Sequence, residues 1–124
     1  MAAAITVTTN LGISGSTAQL PASARTGTIA QVGADVGSDT QDISYTTDAA
    51  IAVPASVTGD RHLEVVNLDT TNYVEFSNAT GGSFNGGRFA KLYPGLPMVI
   101  CATGAIYAKA NAANVKVQFR CVEA

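Results

Sequence analysis

The chain has 124 residues, enough for one hydrophobic core and too short for two, and its 47% hydrophobic against 13% charged content excludes disorder driven by excess charge. The net charge of −2 divides unevenly: residues 1–60 carry five acids and one base (−4), residues 61–124 six bases and four acids (+2). The bases are spread too thinly for a nucleic-acid-binding stripe, and the charge-poor, Thr/Ser/Ala-rich exterior this composition implies favours burial against partner chains.

The start, MAAAITVTTNLG, has no basic segment and its apolar content ends within a few residues, so it reads neither as a signal peptide nor as a membrane span. A chain folding in a cytoplasm is expected, with Cys101 and Cys121 as thiols, and the two lack the spacing of a four-ligand zinc site. Residues 1–26 are Thr, Ser, Gly and Ala with isolated apolar residues, which predicts an extended arm with one short strand at 5–9. Such a segment cannot offset its own ordering entropy, so a neighbouring subunit is expected to pair with Ile5 and Val7 as an added strand or to receive Leu11, Ile13 and Leu20 in apolar grooves.

Residues 27–124 are expected to form the folded domain. GTIAQVGADV, from Gly27, predicts a strand with a bulge near Gly33. DISYTTDAAIAV follows as one strand with Ile43 and Tyr45 alternating, ended by Pro54, which cannot donate to a ladder. LEVVNLDTTNYVEF predicts a core hairpin: a strand at 63–68 carrying Leu63 and Val65, a turn at 69–72 whose Asp69 and Asn72 can bond their own backbone, and a return at 73–77 with Val74 and Phe76 on one face. SNATGGSFNGG then reads as a mobile loop or one held by a neighbour. Strands at 88–93, 97–102, 106–110 and 114–122 finish the chain, the last alternating in VKVQFRC between a core face and a wet face of Lys116, Gln118 and Arg120. About eight short strands with Gly/Pro/Asn breaks and no helical period predict an all-β antiparallel sandwich, jelly-roll or immunoglobulin-like. If the last strands form a meander, Cys101 and Cys121 lie about 9.6 Å apart at a strand spacing of ~4.8 Å, beyond disulfide reach, leaving free thiols or a bond to another subunit.

Three segments, LEVVNLDTTNYVEF, FAKLYPGLPMVI and AIYAKANAANVKVQF, resemble a group of small virion structural proteins of tailed bacteriophages, over roughly residues 63–124. The resemblance implies a β-sandwich built into a phage particle and carries across no active-site residues.

No catalytic constellation is legible. His62 is the single histidine and reads as a partly exposed strand residue beside Arg61 and Glu64. A Cys-His pair with Cys101 or Cys121 is conceivable, but both cysteines sit in apolar strands where thiols are usually core filler. Asp60, His62 and Glu64 alternate too commonly to indicate a metal site, GGSFNGGR lacks the Lys-Ser/Thr and helix of a phosphate cradle, and NAT at 78–80 is a chance glycosylation match. The expectation is a non-enzymatic, cofactor-free virion component, a capsid decoration or cement subunit that forms a homo-oligomer and binds major capsid or tail subunits, with no nucleic-acid or membrane partner. Its charge asymmetry reads as two solvated faces of one domain, with a head-to-tail contact between subunits as the alternative. A neck or tail accessory protein is the alternative within the virion. A carbohydrate- or host-receptor-binding module is the alternative outside that class, and Tyr73 and Tyr107, on the less apolar faces of their strands, are its candidate platforms.

Overall fold

The computed structural model describes residues 4–10, 24–30, 36–55, 57 and 60–123. The chain divides into two compact units, Met1–Val32 and Gly33–Ala124. In the first, β1 (Ala4–Asn10) and β2 (Ala24–Ala30) form a two-stranded antiparallel sheet, with Ala4 opposite Ala30 and Asn10 opposite Ala24. The strand expected to need a neighbouring subunit thus finds a partner in its own chain. Residues 24–30, expected partly in the arm and partly in the sandwich, pair with β1 alone. The bulge expected near Gly33 lies outside the described residues.

The second unit holds β3 (Val36–Ile43), β4 (Ala49–Ala50), β5 (Arg61–Asn67), β6 (Val74–Ser77), β7 (Arg88–Leu92), β8 (Pro97–Ala102), β9 (Tyr107–Ala110) and β10 (Val115–Glu123). They form two antiparallel four-stranded sheets, ordered β3-β10-β5-β8 and β4-β9-β6-β7. Four pairings, β3 with β10, β4 with β9, β5 with β8 and β6 with β7, are the rungs of one long hairpin folded over on itself. The pairings of β10 with β5 and β6 with β9 then close the sheets, and the result is a jelly roll.

Alternation builds the core. In β10, Val115, Val117, Phe119 and Cys121 are buried between exposed Lys116, Gln118 and Arg120. These pack with Ile43, Leu63 and Val65 of the same sheet against Val74, Phe76, Leu92, Ala108 and Ala110 of the other. Each large apolar side chain buried this way contributes about 1.5–3 kcal/mol.

Three sequence expectations change. Residues 63–77 are not a hairpin, because β5 and β6 lie in different sheets and 68–73 arches between them. The turn chemistry is still used: the Asp69 carboxylate accepts from the backbone N–H groups of Thr71 and Asn72, at 3.0 and 2.5 Å. DISYTTDAAIAV is not one strand either. The Ser44 hydroxyl accepts from the N–H groups of Thr46 and Thr47, turning the chain out of one sheet into the other, so Ile43 is buried and Tyr45 exposed. The last three strands are not a meander: β9 lies in the other sheet between β4 and β6, while β8 and β10 flank β5.

Local residues fix the connections. Tyr93-Pro94-Gly95-Leu96 is a type II turn, with Leu96 N–H donating to Tyr93 O at 3.2 Å and Gly95 at φ +77°, the position at which this turn demands glycine. The glycine-rich segment after β6 is folded. Its two short 3₁₀ turns, Gly81–Ser83 and Asn85–Gly87, flank buried Phe84, whose carbonyl accepts from the Ser77 hydroxyl at 2.8 Å, while Thr80 donates to Asp48.

Candidate functional site

Among the described residues, the sandwich has two open sides, each with an edge strand from each sheet. On one, Gln41 of β3 donates to Ala50 O of β4 and accepts from Ala52 N–H, both at 2.9 Å, tying β3 to β4. That side carries Asp39 and Asp42 on β3, with Asp48 just before β4, and its two strands hold no base. On the other side, Arg88 and Lys91 lie on β7, and neither β7 nor β8 holds an acid. Edge strand β8, PMVICA, has no charged residue at all.

Exposed large apolar side chains collect on the β7/β8 side, where Phe89, Tyr93, Leu96 and Val99 are between 38% and 55% exposed. A groove of about 590 Å³ there is lined by Phe89, Ile100, Cys101, Ile106 and Tyr107 among others. On the outer face of the second sheet, Tyr73 and Tyr93 meet edge to face at 6.1 Å, and the Lys91 ammonium lies 4.4 Å from the Tyr73 ring centre. Neighbouring Glu75 pairs with Arg88 at 2.9 Å.

The thiols separate. Cys121 faces the core opposite Leu63, and burial pushes its thiol up from the ordinary value. Cys101 faces outward: the β5–β8 register sets it against His62, and its Sγ lies 2.9 Å from His62 Nδ1. One strand does separate the two cysteines, but it is β5, and they lie on opposite faces of the sheet. Both are free. The reading of Cys101 as core filler is corrected, because β8 is an edge strand whose outward residues meet solvent. His62 turns to Cys101 and Glu64 to Arg120, at 2.6 Å, so the alternating Asp60, His62 and Glu64 do not converge, and no group of three or more metal-ligating side chains occurs among the described residues.

Of the other residues singled out, Leu63, Val65, Val74 and Phe76 are all at most 1% exposed. Val7 is half-buried within its two-stranded sheet; the Ile5 side chain and Leu11, Ile13 and Leu20 lie outside the described residues. Sequence reasoning missed Asn67, a fully buried polar residue. Its Nδ2 donates to the carbonyls of Asn72 and Leu92 at 2.9 and 3.1 Å, and its Oδ1 accepts from Asp69 N–H at 2.8 Å. The available signal was an Asn continuing the inward-facing Leu63, Val65 series of its strand.

No family model, curated protein or solved structure matches the chain.

Proposed function

We propose that the chain is a non-enzymatic structural component of a bacteriophage virion, a capsid decoration or cement subunit that binds neighbouring capsid subunits and copies of itself. The observation that carries this reading is the pair of unlike open sides. Soluble sheet proteins guard their edges with charge, bulges or covering loops, whereas β8 offers six uncharged residues with only Pro97, at its start, to discourage pairing. An edge of this kind suits a partner strand. Because β8 runs antiparallel to β3, a copy in the same orientation presents its β3 edge antiparallel to β8, so head-to-tail contact continues the sheet. The β7/β8 side, with Arg88 and Lys91 on β7, would face the β3/β4 side, with Asp39 and Asp42 on β3 and Asp48 before β4, favouring the contact. The resemblance of residues 63–124 to phage virion proteins and the jelly roll, an architecture common among viral coat proteins, supply the virion context.

A second reading, a glycan- or receptor-binding module, draws on Tyr73 and Tyr93. Lys91 already covers the Tyr73 ring, leaving Tyr93 as the more open platform. Co-sedimentation of purified protein with phage particles lacking it, run beside a glycan array, separates the two. Saturable binding to particles with a blank array supports the structural reading; array binding without particle binding supports the second and overturns the first.

A further inference from the structure

We infer that Cys101 and His62 form a thiol–disulfide exchange site for small disulfides with apolar or aromatic substituents, a role independent of the assembly reading. The thiol has a base within hydrogen-bonding reach, the arrangement that activates a cysteine nucleophile, and strand register holds it there. Cys101 is also exposed and borders a groove along the end of β8 and the 103–106 turn, whose walls include Phe89, Ile100, Ile106 and Tyr107 beside polar Asn78 and Thr103. Those walls suit the organic arm of a disulfide whose sulfur approaches Cys101. Cys121, buried on the opposite face, lacks access.

The step balances without a further oxidant. With the neutral ring's proton on Nε2, His62 Nδ1 takes the Cys101 thiol proton. The Cys101 sulfur then attacks one sulfur of RSSR, the S–S bond breaks as the new one forms, and RS⁻ leaves, recovering the proton from the imidazolium as RSH. The protein keeps a Cys101–S–S–R mixed disulfide. The event is stoichiometric, so the site is a modification point on the chain.

The test uses the full chain and 2,2′-dithiodipyridine, whose released thiopyridone absorbs in the near ultraviolet. A single fast equivalent is expected from the wild type and from Cys121→Ser, and none from Cys101→Ser. His62→Gln, checked for an unchanged melting temperature, should react about fivefold or more slowly, because the general base is gone. Peptide mapping of the wild type should place the adduct on Cys101. A His62→Gln rate that falls by less than this, or an adduct mapped to Cys121 in the folded wild type, overturns the assignment.

Discussion

The Asn67 side chain, at the end of β5, donates through Nδ2 to the carbonyl of Leu92 on β7, 3.1 Å away in the opposite sheet. The same amide holds the 68–73 arch through Asn72 O and Asp69 N–H, and the Asn67 backbone bonds Gly95 and Leu96 of the β7–β8 turn. One fully buried residue therefore fastens two connections and both sheets. Asn67→Ala keeps the backbone bonds but strips the side-chain partner from the buried Leu92 carbonyl and from the part-buried Asn72 carbonyl and Asp69 N–H, and should cost about 2–4 kcal/mol, read as a lower urea midpoint at unchanged slope.

Gly37 on β3 has no room for a side chain. A Cβ there would lie 2.5 and 2.8 Å from Cγ and Cδ of Pro54, whose rigid ring cannot swing away. Gly37→Ala should destabilise by about 1–3 kcal/mol, and Pro54→Ala should relieve part of that loss in the double variant, giving a measurable coupling in a double-mutant cycle.

Stability should fall at both ends of the pH range. The backbone N–H groups of Asn72 and Thr71 hold the Asp69 carboxyl below its ordinary 3.8, and the Thr80 hydroxyl does the same for Asp48. A lowered folded value means that each contribution is present above the ordinary value and lost as the pH falls through the folded one, so Asp69→Asn should flatten the acid limb. Burial raises the Cys121 thiol above 9.0, so its contribution is present below that value and lost as the pH rises beyond it. Cys121→Ala should flatten that part of the alkaline limb in urea titrations.

Much of this fold was legible. The alternation in VKVQFRC gave β10 its faces, the Pro-Gly turn at 94–95 was placed correctly, and strands near 88, 97, 107 and 115 lie where periodicity put them. What failed was partnership. A period of two says which side chains share a face and nothing about which strand lies alongside, so Leu63, Val65, Val74 and Phe76 were rightly assigned to the core while β5 and β6 were wrongly paired. The His62–Cys101 contact spans 39 positions and exists only through the β5–β8 register, so neither residue's neighbours announced it. Ser44 hid a crossing between sheets because its hydroxyl, the group that makes the turn, looks like any polar residue in an alternating strand.

Because Met1–Val32 is a compact unit with its own sheet, removing residues 1–32 should leave the jelly roll folded, its melting temperature within about five degrees of the full chain. Calorimetry of the truncated chain decides this, and loss of a cooperative transition would mean that the sandwich depends on the first unit.

The most direct test of the proposed structural role is quantitative mass spectrometry of gradient-purified phage particles from infected cells that produce the chain. A virion decoration or cement subunit should co-purify in many copies per particle, in a fixed ratio to the major capsid subunit that survives a second gradient. A chain abundant in the infected lysate but absent from the purified particles would contradict the account.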